Sequence, residues 1–140
     1  MTQAKRHYNQ GVSLFDSGEY QKAIGEFSQT IELDPKYVWA YNNRGSSYHK
    51  LGEYERAIED YNRAIELEPR FAQAYASRAS SYFLLKQDQK AIEDYNQAIK
   101  IDPNDGYAYY WRGQAHSQLG NSHQSVKDLA MAEELGYEPD

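Results

Sequence analysis

The chain has 140 residues, a mass of 16.2 kDa, 40% hydrophobic residues and no cysteine, which suits one domain and excludes a disulfide framework, a thiolate nucleophile or a cysteine-based zinc site. A mean hydropathy of −0.94 excludes a membrane-spanning helix, and Met1-Thr2-Gln3-Ala4-Lys5-Arg6-His7 lacks the apolar stretch of a secretory signal, so a cytoplasmic setting is expected. With 15 basic against 21 acidic residues the net charge is −6, which repels phosphate and argues against a nucleic-acid partner.

Fourteen tyrosines, two tryptophans and four phenylalanines stand in an otherwise hydrophilic chain, and an internal period accounts for most of them. Pro35, Pro69 and Pro103 are 34 residues apart, as are Ala23, Ala57 and Ala91, and Phe27, Tyr61 and Tyr95. The chain therefore divides into repeats at 4–37, 38–71, 72–105 and 106–139. The first repeat predicts helices near 4–17 and 20–33, the latter carrying Ala23, Phe27, Thr30 and Ile31 on one face at i, i+4, i+7 and i+8. The second predicts helices near 38–51 and 54–67, with Ala57, Tyr61, Ala64 and Ile65 on the equivalent stripe. The third predicts 72–85 and 88–101 with Ala91, Tyr95, Ala98 and Ile99, and the fourth 106–119 and 122–135. Gly18, Gly52 and Gly120 follow first helices, where a left-handed residue costs least without a Cβ. Asp34-Pro35, Glu68-Pro69 and Asp102-Pro103 stop second helices, because the residue before proline is driven out of the α region.

This pattern resembles the tetratricopeptide repeat (TPR). The second repeat carries Tyr41, Gly45, Tyr48, Ala57, Tyr61 and Pro69 at that family's places, and the third carries Tyr75, Ala79, Tyr82, Ala91, Tyr95 and Pro103. The first has His7, Gly11, Leu14, Ala23, Phe27 and Pro35. The fourth keeps Tyr109 and Gly113 but has His116, Ser125 and Leu129, and no proline at the usual place. The resemblance implies an all-α, right-handed α-solenoid of eight antiparallel helices, a single domain over 1–140 with a concave groove. Both ends depart from the pattern towards polarity: Arg6 and His7 stand where inner repeats have Ala40 and Tyr41, and Glu133 answers Ile31, Ile65 and Ile99. The first and last repeats are read as caps, and four repeats as the whole array.

No arrangement needed for catalysis is present: no glycine-rich phosphate loop, no HExxH and no GxSxG. His7, His49, His116 and His123 are scattered and form no metal site, so neither an enzyme nor a bound cofactor is expected. A more regular pattern places Arg44, Arg78 and Arg112 on first helices and Glu26, Asp60, Asp94 and Asp128 on second helices, with Gln10 replacing the first arginine. Pairing with the acid of the preceding repeat or with that of the same repeat fits equally. Either way a register-fixing ladder is expected, and Arg78→Ala lowers the melting temperature.

The resemblance further implies a protein-interaction module whose first helices line the groove. Carried over place by place, the lining is Lys5, Tyr8, Phe15, Lys36 and Tyr37 in the first repeat, and Trp39, Asn42, Asn43, His49, Lys50, Arg70 and Phe71 in the second. The third contributes Phe83, and the fourth Tyr107 and Tyr110 with Trp111 at the margin. Lys5, Lys36, Lys50 and Arg70 against Asp16 make the first half of that lining cationic, net +3, with rings among the charges. It suits an acidic peptide with one or two apolar anchors, charge steering encounter and the anchors holding it. Tyr107, Tyr110 and Trp111 form either a contact site or a bed for the tail around Tyr137. The clamp by which some of these proteins hold a chaperone's terminal carboxylate is not expected: its places hold Tyr8, Val12, Asn43, Gln73 and Ser77, or one repeat later Asn42, Ser46, Ser77, Tyr107 and Trp111, too few donors for two oxygens. The alternatives are a self-assembly module using the aromatic end of repeat four or an exposed end repeat, and a regulatory domain of a larger complex.

Overall fold

A computed structural model describes all residues, Met1–Asp140, and contains eight helices and no strand. In order these are α1 (Gln3–Asp16), α2 (Tyr20–Leu33), α3 (Val38–Lys50), α4 (Tyr54–Leu67), α5 (Ala72–Leu84), α6 (Asp88–Ile101), α7 (Gly106–Gln118) and α8 (Ser122–Glu134). Every boundary falls within one residue of the expected one. The fold is an all-α solenoid of four helix-turn-helix repeats, arranged as two compact units, Met1–Pro69 and Arg70–Asp140, of two repeats each.

First helices end in a left-handed residue, as the glycine spacing predicts. The amide of Gly18 donates to the Phe15 carbonyl (2.9 Å) and that of Glu19 to Leu14 (2.9 Å), with Gly18 at φ +80°; the pattern recurs at Gly52 and Gly120. Repeat three closes the same turn with Lys86 at φ +63°. A left-handed conformation costs a residue with a Cβ roughly 1–2 kcal/mol, partly offset by the greater freedom glycine loses on folding. Lys86→Gly is therefore expected to raise stability by about 0.5–1 kcal/mol, measured as a higher denaturation midpoint with unchanged slope. At the end of the fourth repeat Tyr137 stands at the proline place, and α8 is closed by Gly136 at φ +79°, whose neighbour Tyr137 donates its amide to the Ala132 carbonyl at 2.9 Å.

The core is built from the predicted stripes. Ala23, Phe27, Ala57, Ala64, Ala91, Tyr95 and Ala98 have no exposed surface, and Tyr61 has 1%. First helices approach these rings through small residues. A Cβ added to Gly11 would lie 2.5 Å from the Phe27 ring, and one on Gly45 2.8 Å from Tyr61. Ala79 faces the third repeat's core, where it packs with Ala91, Tyr95 and Ala98.

The arginine row resolves in favour of pairing inside the repeat. Arg44 donates Nε and Nη2 to the two carboxylate oxygens of Asp60 (2.8 and 2.7 Å); Arg78 does the same to Asp94 (2.7 and 2.7 Å) and Arg112 to Asp128 (2.8 and 2.6 Å). The third arm reaches back one repeat: Arg44 Nη1 to Ser28 Oγ (3.1 Å) and Arg112 Nη1 to Asn96 Oδ1 (3.0 Å). In repeat one, where Gln10 replaces the arginine, His7 Nδ1 lies 2.7 Å from Glu26 Oε2. Burial pushes the Asp60 carboxyl up against the opposing effect of Arg44, and the hydrogen bonds to Asp60 raise Arg44 further.

Candidate functional site

In the first unit the first-helix face assembles around Tyr8. Lys5 Nζ lies 5.2 Å from its ring centroid, the Tyr37 ring 4.9 Å away, and Asn43 Nδ2 donates to its hydroxyl at 2.9 Å. Tyr8 packs underneath on Phe27 (5.9 Å), which anchors the cluster to the core. Burial raises the Tyr8 phenol, so it stays neutral and able to donate. Lys36, Trp39 and Lys50 are exposed, Trp39 by 47%. The structure thus brings Lys5, Tyr8, Tyr37 and Asn43 into one cluster of cation, rings and amide.

Other expected lining residues sit elsewhere. Phe15 and His49 are half-buried over the turns inside their repeats, edge-on to Tyr20 and Tyr54 at 5.2 Å each. Burial, and then the charge of Lys50, lowers the His49 pKa, so this ring is neutral at pH 7. Asn42 must be removed from the lining: it is wholly buried, with Nδ2 donating to Asn43 Oδ1 (3.2 Å) and no surface left for a ligand. Phe71 is corrected in the same way. It is 8% exposed, because a ring at the start of a first helix is spent on packing, whereas Arg70 beside it is exposed.

In the second unit the aromatic residues are joined to the tail. Tyr137 lies 6.0 Å from Tyr107 and 5.3 Å from Tyr110, and a Cβ on Gly106 would meet the Tyr137 Cβ at 2.7 Å. Trp111 is edge-on to Phe83 (5.7 Å) and Tyr110 (5.1 Å). The Ser80 hydroxyl joins Tyr95 OH (2.9 Å) to Tyr107 OH (2.5 Å). Of the two readings of this end, tail packing is the one observed. The Tyr8–Asn43 hydrogen bond was not expected from sequence, because Asn43 stands one residue beyond Asn42, the place equivalent to Tyr8.

Stacked helix pairs that repeat every 34 residues define the class of helical-repeat proteins. The profile described as TPR repeat matches residues 11–52 and 79–120, and two described as Tetratricopeptide repeat match 38–71 and 106–135. The chain belongs to the tetratricopeptide-repeat family, whose fold is a protein-interaction scaffold. Among solved structures it resembles MamA at 29% identity and a TM-score of 0.89, over 95% of this chain and 78% of that one. The first TPR of Spaghetti (RPAP3), solved with the HSP90 peptide SRMEEVD, is 26% identical, with a TM-score of 0.82 over 84% of this chain and 94% of that one. MamA from Desulfovibrio magneticus RS-1, residues 41 to the end, shares the fold at 22% identity, with a TM-score of 0.87 over 95% of this chain and 75% of that one. No curated protein matches by sequence. No helix is long and apolar enough to cross a membrane.

Proposed function

We propose that the chain is a non-enzymatic adaptor and that the first-helix face of residues 1–69 takes a peptide that is acidic and carries an apolar anchor. The observation that carries this reading is the Tyr8 cluster: Lys5 over one ring, a second ring at 4.9 Å, and the exposed Lys36, Lys50 and Trp39 on the same unit. The cations attract carboxylates, while the rings supply apolar contact area. That the RPAP3 repeat domain was solved with a peptide containing two glutamates and an aspartate supports the ligand class. The carboxylate clamp stays outside this reading, because Tyr8 and Val12 occupy the places of its first two donors.

The test is calorimetry with synthetic acidic heptapeptides bearing a single Leu, Met or Phe, SRMEEVD among them. Lys5→Glu/Lys36→Glu/Lys50→Glu is expected to weaken binding at least tenfold and to flatten its salt dependence, at an unchanged melting temperature. Amidating the peptide's terminus is expected to leave affinity unchanged. Equal affinity of wild type and triple variant, or no binding by any heptapeptide, would sink the proposal.

A further inference from the structure

The two outward end faces of the array are changed in matching ways. Within each unit a second helix is covered by the first helix of the next repeat, α3 on α2 and α7 on α6. That cover buries Ile24 to 6% and Ile92 to 5%, and leaves Ala40 and Ala108 no exposed surface. One further repeat along, Val126 holds the place of Ile92 and is 67% exposed, with Met131 on the same helix at 37%. Tyr137 turns back onto α7, so the tail does not cover them. On α1 the equivalent outward face carries exposed Arg6 and Gln10 around an open recess of about 450 Å³ lined by Met1, Gln3, Arg6, His7, Asn9 and Gln10.

The inner interface supplies the register for comparing these faces. The link from α2 to α3 is only residues 34–37, so the C-terminal end of α2 adjoins the N-terminal end of α3, and the places of Ile31 and Ala40 are neighbours. On the outward faces those two places hold Glu133 and Arg6. Inside, Arg44 and Arg112 extend an arm to Ser28 and Asn96; the outward counterparts are Gln10 and Ala130, so the arm and its acceptor are lost together. Two apolar places now hold opposite charges, and a donor and its acceptor have been withdrawn together.

We infer that α1 of a second copy docks on α8 in the register by which α3 covers α2, Arg6 meeting Glu133 and the N-terminal recess receiving the α8 face. The contact is heterologous, so each copy keeps one face open and the assembly grows head to tail. Its charge pair makes it weaken with salt. This inference is independent of the peptide reading, which uses the inner face of α1 and α3.

Sedimentation of the 140-residue chain tests it. Wild type is expected to rise above 16.2 kDa with concentration and to return towards that mass at high salt. Arg6→Glu and Glu133→Arg, both at exposed positions, are each expected to stay at monomer mass with unchanged melting temperature. Mixing the two restores assembly, because every junction then pairs opposite charges, and the double variant assembles alone. Val126→Lys is a second probe of the α8 face and is expected to abolish assembly. A wild type that stays at 16.2 kDa at all concentrations overturns the proposal. So does a single variant that assembles like wild type, or a mixture that remains monomeric.

Discussion

Arg112→Ala is expected to destabilise the fold by about 3 kcal/mol, because it leaves the Asp128 carboxylate, only 5% exposed, without its two strongest donors. The expected magnitude follows from the asymmetry of buried ion pairs. Removing one partner strands a desolvated charge, while the intact pair gains little over an apolar pair of similar volume. Arg112→Met/Asp128→Leu is accordingly expected to recover most of the loss, and Arg44 and Arg78 to behave alike, each with its own Asp60 or Asp94. Denaturant melts of the single and double variants provide the check, at constant slope. A double variant as unstable as the single one would mean that the pair does more than balance its own desolvation.

Tyr95→Ala is expected to cost about 4 kcal/mol, since the ring is fully buried among Ala79, Ala91 and Ala98 and its removal opens a cavity that helices cannot close. Tyr95→Phe separates the ring from its hydroxyl. The hydroxyl bonds only Ser80, at 2.9 Å, so this change is expected to cost about 1 kcal/mol. Phe27→Ala is expected to match Tyr95→Ala, because Gly11 leaves the Phe27 ring no substitute neighbour. Thermal melts followed by helical circular dichroism measure all three. Equal losses for Tyr95→Phe and Tyr95→Ala would shift the weight from packing to the Ser80 hydroxyl.

The helices were legible because the apolar period is punctuated by glycine after three of the four first helices and by proline after three of the four second ones. Lys86 shows that the turn does not depend on glycine, since the amides of Lys86 and Gln87 close onto Phe83 and Tyr82 as in the other repeats. The arginine pairing was not legible. Arg44 to Asp60 spans 16 residues and Arg44 to Glu26 spans 18, so period arithmetic cannot choose between them. The candidate face was legible by place but not by depth. Asn42 has Tyr8, Ala76 and Tyr110 at its equivalent places, and a polar side chain there signals exposure although the structure buries it completely. The fate of the Tyr107–Trp111 cluster turned on Tyr137, which replaces a proline exactly once in the period and so had no repeated signal to read.

Within each unit, helices touch only their neighbours in the chain and, through α1–α3 and α5–α7, the next first helix. The farthest of the side-chain hydrogen bonds described above, Asn43 to Tyr8, spans 35 residues. Loop closure is short throughout, so no contact waits for a distant segment. During translation, the residues that form the Phe27 core and the His7–Glu26 pair of repeat one are all present once residue 37 leaves the ribosome, with α3 of the next repeat following to cover α2. Each unit is thus completed by residues made close together in time, and interrupted synthesis leaves no strand edge and few unpaired long-range segments to aggregate.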